Sequence, residues 1–364
     1  MKILVLMKRF GANKDMVMLN FGRQIKLFES LSKLGHKVEF FCPDYKKHEN
    51  KNIRKHGIEY YIRPYRISRH FKFLQDLRDL IKKNRYDYIV GSTDPLLGIL
   101  GYWYAKKFNI KHIYDMQDEY SCYDSYKLPF VKHLDRKTIK KSDIVLTVSE
   151  SLNRYVKRFR KKPTCTIQNG IDLSAFKKIE KKKAREILKL PQGKIIIYIG
   201  EISKFKGVDI LIKAFQEIKK TVPDSYLLLS GTVSDNINVN QDSIIYKKYP
   251  KREDIILALN AADVAVLPNK KNIFSQYCFP YKLVEYMAAG IPIVATEMGD
   301  SAIMLSKFRN FICKPNDWQD MAEKLIYALK NNKKVNYSSL LRNLTWKGLS
   351  KKLNKIIAKN GRIN

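Results

Sequence analysis

The sequence predicts an α/β protein made of two doubly wound, Rossmann-like domains. Its 364 residues suffice for two domains that each bury a core. Short apolar runs alternate with stretches of helical periodicity in both halves of the chain. Pro163 and the turn-forming pair Asn169-Gly170 interrupt this alternation near its middle. We therefore predict a first domain at residues 1–168, a second at residues 169–345 and a terminal segment at residues 346–364.

The first half alternates between buried strands and amphipathic helices. Strands are predicted at residues 3–6, 38–41, 88–90, 111–114 and 144–148. A helix is predicted over residues 18–34, where Met18, Phe21 and Ile25 begin an apolar stripe that stops at Gly35. Ser149 is a favourable N-cap for another helix.

The second half repeats this pattern. Residues 194–218 predict a strand, a glycine-bounded loop and a helix, and further strands are predicted at residues 226–230, 263–267 and 291–295. Ligands of parallel sheets bind beyond the carboxyl ends of the strands. The loop from Gly200 to Gly207 follows such a strand, so its backbone N–H groups and the Lys206 ammonium are suited to a diphosphate.

The most informative segment reads FPYKLVEYMAAGIPIVAT. Pro280 suits the start of a short helix, Gly290 suits the left-handed position after its last turn, and Pro292 prevents continuation. Lys282 lies in the first turn, where a cation is unfavourable unless an anion is bound. Glu285 follows three residues later, near the same face. The pair indicates a site for a phosphate and sugar hydroxyls, although a surface ion pair explains the spacing equally well.

This segment resembles the signature of the retaining, nucleotide-sugar-dependent glycosyltransferases of family 4, which have the GT-B fold. The preceding run ADVAVLPNKKN is similar to that family's strand ending in Leu-Pro. The resemblance covers most of the chain and implies two Rossmann-like domains that face each other across a cleft. It implies an acceptor-side first domain, a second domain that binds the nucleotide sugar, and a terminal helix that packs back on the first domain.

The resemblance also implies roles for individual residues of the second domain. Lys206 and Lys282 would hold the diphosphate of the donor. Glu285 would contact the ribose of the nucleotide, and Gly200 and Leu283 would lie beside it at the donor.

Two positions depart from the family pattern. Glu201 stands where a basic residue usually follows the glycine, so Lys204 or Lys282 would have to supply the missing charge. Tyr277 stands where the first of two glutamates usually contacts the donor sugar. The chain is instead similar to a branch that reads Pro-x-Lys-x-x-Glu, and sugar specificity does not carry over from the paired-glutamate form.

The first domain offers less specific matches. Gly11 follows the first strand, where backbone can approach the donor phosphate. Asp118 lies in the segment YDMQDEY, where relatives carry a His-Asp pair, and a contact with the acceptor or donor sugar is implied; a solvated loop acid is the alternative. Gln117 stands where the histidine would be, and His112 is expected to be a packed strand residue.

The resemblance implies transfer with retention, in which Lys206, Lys282 and helix N-termini stabilise the departing diphosphate. The leaving phosphate would accept the proton of the acceptor, with Asp118 at the reacting sugars. No cofactor and no metal are expected, because there is no Asp-x-Asp pair and the five scattered cysteines do not indicate a zinc site. A nucleotide-sugar epimerase on the same fold is the alternative enzyme.

The net charge of +35 suits a partner that carries phosphates. No nucleic-acid-binding motif accompanies this charge, so nucleic acid is not expected as a partner, although a basic nucleic-acid-binding protein is the alternative outside the enzymes. Residues 127–162 hold 12 Lys or Arg against 3 Asp or Glu. At helical spacing these form two stripes: Lys132, Arg136 and Lys140, then Arg154, Lys157, Arg158 and Lys161. The stripes fit an anionic membrane surface, and a solvated face is the alternative.

The expected substrates are a nucleotide sugar donor and a glycan or lipid-linked acceptor, as in the synthesis of cell-surface polysaccharide or glycolipid. No apolar run is long enough to span a bilayer. The N-terminus MKILVLMKRF is interpreted as a buried strand and not as a signal peptide. We expect a cytoplasmic protein, with peripheral association at the inner face of the membrane.

Overall fold

The computed structural model describes residues 1–11, 14–331 and 335–361, and it divides the chain into two compact units. The first unit contains residues 1–170 together with the chain from residue 346 onward. The second unit contains residues 171–345. The division falls directly after Gly170, in the irregular segment that follows the last strand of the first sheet.

The first unit is built on an eight-stranded sheet and a small hairpin. Its strands are β1 (Lys2–Leu6), β2 (Phe10–Gly11), β3 (Lys14–Asp15), β4 (Lys37–Asp44), β5 (Lys51–Lys55), β6 (Ile58–Pro64), β7 (Tyr88–Ser92), β8 (Lys111–Met116), β9 (Ile144–Thr147) and β10 (Thr164–Thr166). Its helices are α1 (Arg23–Ser32), α2 (His70–Lys83), α3 (Pro95–Lys107), α4 (Val131–Lys141), α5 (Glu150–Lys157) and, from the end of the chain, α14 (Trp346–Gly361). Strands β2 and β3 form the hairpin.

The sheet order is β10-β9-β8-β7-β1-β4-β6-β5, with every pair parallel except the edge pair β5 and β6. This doubly wound order reverses between β1 and β7. Alternate residues of β1 enter two different cores, since Ile3 packs on one face of the sheet and Leu4 on the other. The first core is completed by Leu353 and its neighbours on α14.

The second unit has a six-stranded parallel sheet in the order β13-β12-β11-β14-β15-β16, which reverses between β11 and β14. Its strands are β11 (Lys194–Ile199), β12 (Ser225–Ser230), β13 (Ile244–Tyr246), β14 (Val264–Leu267), β15 (Ile293–Thr296) and β16 (Ile312–Cys313). Its helices are α6 (Lys181–Leu188), α7 (Val208–Thr221), α8 (Arg252–Ala261), α9 (Ile273–Tyr277), α10 (Tyr281–Ala289), α11 (Gly299–Met304), α12 (Trp318–Asn331) and α13 (Ser338–Arg342).

The predicted helix over residues 18–34 is wrong at its first turn, because α1 begins only at Arg23. Gly22 has a φ of 105°, which is incompatible with helix, and Met18 and Phe21 are exposed. Ser149 is confirmed as the N-cap of α5, where its side chain accepts a hydrogen bond from the backbone of Leu152. Within the described residues, no helix has both the length and the hydropathy needed to cross a bilayer.

Candidate functional site

The loop of residues 200–207, called the glycine loop, lies at the carboxyl end of β11, beside the point where the second sheet reverses its order. Gly200 and Gly207 have φ values of 144° and 78°, which side chains rarely adopt. A Cβ on Gly207 would clash with the carbonyl oxygen of Pro268, which follows β14. The two loops on either side of the reversal therefore touch, and the crevice between β11 and β14 opens there.

Helix α10 brings Lys282 to the glycine loop. Its ammonium occupies the space that a Cβ on Gly200 would fill. It donates a hydrogen bond of 3.2 Å to the hydroxyl of Tyr198 and lies 4.5 Å from the centre of that ring. Burial lowers the pKa of Lys282 to about 7, and the nearby charge of Lys206 adds to the effect. The ligand-free site thus holds a lysine whose charged form an anionic partner would favour.

Lys206 supplies a second cation to the same place. Its ammonium lies 4.1 Å from the centre of the Phe274 ring and 5.1 Å from that of Phe205. In the part of the chain that the structure describes, neither Lys206 nor Lys282 forms an ion pair with a carboxylate. Two unneutralised ammonium groups beside a glycine loop are suited to a diphosphate.

Glu285 follows Lys282 by one helical turn and is half-buried. Burial raises the pKa of its carboxyl group, while the charges of Arg252 and Lys282 lower it. The carboxylate has no hydrogen-bond or ion-pair partner within residues 1–11, 14–331 and 335–361, so it is available to a hydroxyl. The Leu283 side chain is fully buried, which restricts its predicted contact with a donor to the backbone.

The structure brings together Gly200, Lys206 and Lys282, with Glu285 one turn away on α10. The family pattern expects a basic residue at position 201, where this chain has the exposed Glu201. The Lys282 ammonium lies over Gly200 and places a cation next to that position. Sequence reasoning missed Tyr198, whose hydroxyl donates to the Glu201 carbonyl at 2.8 Å. The available sequence signal for this contact was the position of Tyr198 two residues before Gly200, at the end of β11, because alternate residues of a strand point to the same side.

The reversal point of the first sheet holds an open cleft of about 600 Å³. Lys8, after β1, and Asp94, after β7, form an ion pair of 2.5 Å in its lining. Tyr123 also lines the cleft and donates a hydrogen bond of 2.6 Å to Asp118. Asp118 is therefore oriented by a tyrosine beside this cleft. It belongs to the first unit, whereas Lys206 and Lys282 belong to the second.

Asp115, three residues before Asp118, is fully buried, and no site role was predicted for it. Asp115 accepts from Arg23 at 2.8 Å and from Ser92 at 2.8 Å, and the Gln117 side chain donates to both Ser92 and Asp115. Gln117, at the position where the family resemblance implies a histidine, thus completes a polar network at the ends of β7 and β8. The partner of Asp115 is Arg23, the first residue of α1. The sequence signal for this arginine was its position directly after Gly22, where a helix can begin.

Two other residues considered in the sequence, Gly11 and His112, have structural contacts in the first unit. Gly11 lies in the β2-β3 hairpin, where it pairs with Lys14 and closely approaches the Met16 side chain. His112 is fully buried with Nδ1 at 2.9 Å from the Ser142 hydroxyl, and burial lowers its pKa to about 3. A histidine that stays neutral in the core agrees with the packing role predicted for it.

The predicted basic stripes lie on α4 and α5 and the turn after α5. Every member is exposed: Lys132, Arg136, Lys140, Arg154, Lys157, Arg158 and Lys161. Arg136 stacks 4.5 Å from the centre of the Phe159 ring, which joins the two stripes into one surface, called the basic face. Arg160 is buried instead, and it donates to the carbonyls of Ile139 and Lys140 at the end of α4. Next to the basic face, Leu128, Phe130 and Leu134 are exposed.

Two family models match the chain and together span most of it. The model for Glycosyltransferase Family 4 matches residues 25–175. The model for Glycosyl transferases group 1 matches residues 180–339. The boundary between the two matches lies close to the boundary between the two units.

Curated relatives are similar at low identity. An uncharacterized glycosyltransferase of Haemophilus influenzae is 23% identical over 84% of this chain and 85% of the relative. A putative teichuronic acid biosynthesis glycosyltransferase of Bacillus subtilis, TuaC, is 25% identical over 52% of this chain and 47% of the relative. Other curated relatives, such as an N-acetyl-alpha-D-glucosaminyl L-malate synthase of Bacillus anthracis, are likewise matched over about half of their length.

Solved structures are similar over almost the whole chain. HepE of Anabaena in complex with UDP has a TM-score of 0.75 at 16% identity, covering 99% of this chain and 100% of that one. A glycosyltransferase of Rickettsia africae has a TM-score of 0.75 at 17% identity, covering 100% and 99%. At these identities the likeness concerns the fold, and it confirms the predicted GT-B fold.

Proposed function

Because this chain belongs to the family 4-like, group 1 glycosyltransferases, we propose that it transfers a sugar from a nucleoside diphosphate sugar to an acceptor hydroxyl, with retention of configuration. The observation that carries the proposal is the meeting of Lys206 and Lys282 at the glycine loop. Both cations lie where a diphosphate can bind in a Rossmann-like unit. The glycosyltransferase activity follows from the family, and the donor, the stereochemistry and the acceptor are proposed here.

In the proposed mechanism, negative charge develops on the diphosphate as the bond to the sugar breaks. Lys206 and Lys282 stabilise this charge, which lowers the barrier because they are already in place. The acceptor oxygen bonds to the anomeric carbon on the face from which the diphosphate departs. The leaving phosphate accepts the proton of the acceptor hydroxyl. Glu285 accepts hydrogen bonds from the ribose, and Asp118 orients a sugar hydroxyl from the first unit.

The two lysines supply the charge that a divalent cation supplies in other nucleotide-sugar enzymes, so we propose transfer without metal or cofactor. Transfer should proceed at an unchanged rate after dialysis against EDTA. A rate that falls with EDTA and returns with Mg²⁺ or Mn²⁺ would overturn this part of the proposal.

The first experiment is a thermal-shift panel of UDP-, GDP- and ADP-sugars, since donor binding needs no knowledge of the acceptor. Stabilisation by one nucleotide should be lost in Glu285→Ala, which keeps the fold but removes the ribose contact. Absence of stabilisation by every nucleotide would reject the donor site. An NMR spectrum of the transfer product then shows whether the anomeric configuration is retained, and a rearranged free sugar without acceptor would indicate an epimerase.

The basic face supports a second proposal, which concerns where the acceptor is found. The basic face has seven exposed cations, and the exposed apolar side chains of Leu128, Phe130 and Leu134 lie on and just before α4, which carries three of them. Cations near an anionic bilayer each contribute about 1 kcal/mol, and apolar side chains add to this by insertion. Leu128 also lines the open cleft that Tyr123 shares. We therefore propose a lipid-linked acceptor at an anionic membrane surface, as in cell-surface glycan or glycolipid synthesis, for a cytoplasmic enzyme.

Vesicle sedimentation tests the membrane proposal. The wild type should bind vesicles of 30% phosphatidylglycerol and be released by salt, since exposed charges are screened. Reversal of Lys132, Arg136 and Lys157 to Glu should release it at low salt. Reversal of Lys178, Lys182 and Lys183, exposed lysines on and just before α6 in the second unit, is the control of equal charge. Equal release by both triple variants would reject the basic face as the membrane-binding surface.

A further inference from the structure

We propose that Tyr198, Phe205 and Phe274 are positioning residues that hold the two diphosphate-binding lysines on aromatic faces. This inference rests on the proposed function for its purpose. The geometry that carries it is present in the ligand-free protein. It concerns how two like charges are kept in place beside each other without carboxylate partners.

Lys206 sits on a pair of rings. Its ammonium lies 4.1 Å from the centre of Phe274, on α9, and 5.1 Å from that of Phe205 in the glycine loop, and the two rings are 6.0 Å apart. A cation within about 6 Å of a ring centre is attracted by the electron density of its face. Phe274 belongs to the element that follows β14. Its contact with Lys206 thus ties together the two sides of the crevice between β11 and β14.

Lys282 sits on the third ring. Its ammonium lies 4.5 Å from the centre of Tyr198 and 3.2 Å from the hydroxyl of that residue. The same hydroxyl donates to the Glu201 carbonyl, while the hydroxyl of Tyr286 accepts from the Ile199 backbone at 3.0 Å. These bonds fix the start of the glycine loop against α10. The ring of Tyr198 is buried in the core, so its position is rigid.

Two acids near the glycine loop are occupied elsewhere, and neither Glu201 nor Glu285 forms an ion pair with Lys206 or Lys282 in the described part of the chain. Asp209, in the first turn of α7, pairs with Lys270 at 2.7 Å. Asp235 accepts from the Lys204 backbone at 2.8 Å. A carboxylate bound to either ammonium would compete with the diphosphate for it, whereas an aromatic face restrains the cation without neutralising its charge. The aromatic faces therefore hold both side chains in place without an acid that would compete with the leaving group for them.

Trace acetylation of the ligand-free protein tests the restraint of Lys206 directly, with the exposed Lys204 of the same loop as an internal reference. Loss of the ring in Phe274→Leu removes the aromatic face that restrains the Lys206 amine and covers it on one side. The labelling rate of Lys206 relative to Lys204 should therefore rise about two- to fivefold at pH 8. Phe274→Tyr, which keeps the aromatic face, should label like the wild type.

A matched control removes an aromatic face outside the site. Trp103 on α3 lies 4.9 Å from the Lys107 ammonium in the first unit, so Trp103→Leu should raise labelling of Lys107 and leave Lys206 unchanged. Unchanged labelling of Lys206 in Phe274→Leu, measured in a folded variant, would overturn the proposal. A second test compares Tyr198→Phe, which keeps the ring, with Tyr198→Leu, which removes it. Lys282 should be acetylated more slowly in Tyr198→Phe than in Tyr198→Leu.

Kinetics separate this inference from the proposed function. Phe274→Leu should lower kcat for transfer about tenfold and leave the affinity for the nucleoside without phosphates unchanged, and Phe274→Tyr should restore kcat. Failure of the wild type to bind any nucleoside diphosphate would reject the proposed function while the labelling result stands. A wild type that transfers sugar, together with a Phe274→Leu variant of unchanged kcat, would reject only the role of the aromatic faces.

Discussion

At the scale of single residues, Lys282 combines a cost to folding with a proposed role in binding the diphosphate. Its ammonium is partly removed from water and lies near the charge of Lys206, and these two effects lower its pKa to about 7. An unfolded lysine has a pKa of about 10.5. Functional sites often contain groups whose ionisation is disturbed in this way, because the disturbance disappears when the ligand arrives.

Removal of this charge should stabilise the ligand-free protein. Between pH 7 and pH 10.5 the unfolded state binds more protons than the folded state at Lys282, so stability rises with pH across this window and the full cost persists below pH 7. Allowing for solvent screening of a partly exposed group, Lys282→Met should add about 1–2 kcal/mol at pH 7. The gain in melting temperature should shrink when unfolding is measured at pH 10, and a gain that grows with pH would contradict this account.

The same substitution should abolish most of the activity. Loss of one preorganised group that stabilises developing charge typically costs about 10²–10³ in kcat. Lys282→Met should therefore be more stable and at least 10²-fold slower in transfer. Comparison with Lys204→Met, which removes an exposed lysine of the same loop, separates this effect from the loss of charge alone.

Proton uptake should accompany donor binding. At pH 8.5 Lys282 is mostly neutral in the empty site, and a diphosphate favours its charged form, so binding should take up as much as one proton. Calorimetric titration in Hepes and in Tris at the same pH measures this uptake through the heat of buffer ionisation. The uptake should vanish at pH 6 and in Lys282→Met. An equal uptake in wild type and variant would assign the proton to another group.

At the scale of elements, the glycine loop and α10 depend on each other, because the absence of a side chain at Gly200 leaves the space in which the Lys282 ammonium lies. A methyl group on Gly200 would meet the far end of the flexible Lys282 side chain and displace it, and the φ of 144° adds backbone strain. Gly200→Ala should thus lower kcat/KM about 10²-fold while the protein remains folded. Gly290, at the end of α10, is the control, since nothing lies within 4 Å of its missing side chain.

Gly290→Ala places a side chain in the left-handed conformation, because its φ is 74°, and it should cost about 1–2 kcal/mol in stability with little change in activity. The φ of 144° at Gly200 lies outside that region and implies a larger strain, so kcat/KM of each variant is compared for the folded fraction only. Equal losses of kcat/KM in the two variants would show that general destabilisation, and not the position of the ammonium, explains the effect of Gly200→Ala.

Patterns within single elements were readable from the sequence. The turn signals at Gly290 and Pro292 predict the end of α10, which the structure places at Ala289 with Gly290 in the left-handed conformation. Edge strands were not readable: β10 has three residues and β13 has three, too few for a period to appear. The hairpin of β5 and β6 was missed because charged residues interrupt its alternation.

The candidate site was predictable only where one segment contains it. Lys282 and Glu285 share a helix, and Gly200 and Lys206 share a loop, so spacing alone brings each pair together. Tyr198 and Phe274 reach the lysines from other segments, as a result of tertiary packing. Spacing in the sequence contains no information on such contacts, and an aromatic residue in a strand is expected in the core first.

At the scale of the whole molecule, the chain leaves the first unit at Gly170 and returns to it at Trp346. The returning helix α14 packs along α1, and Leu349, Leu353 and Ile357 are buried in the first core. Trp346 lies against Gly170, where a Cβ would clash with the indole ring. The end of the chain therefore completes a core whose other members come from the first 170 residues.

A cavity on α14 should accordingly weaken strands that lie more than 300 residues away in sequence. Leu353→Ala should cost about 2–5 kcal/mol, because the side chain is fully buried and a void remains. Hydrogen exchange read by mass spectrometry should then accelerate in β1, β4 and α1, which share its core. Leu325→Ala, a fully buried leucine of α12, should instead accelerate exchange in β11, β14 and α7 of the second unit. Acceleration of the second unit alone by Leu353→Ala would mean that α14 stabilises residues 171–345, and the helix would then have to be reassigned to that unit.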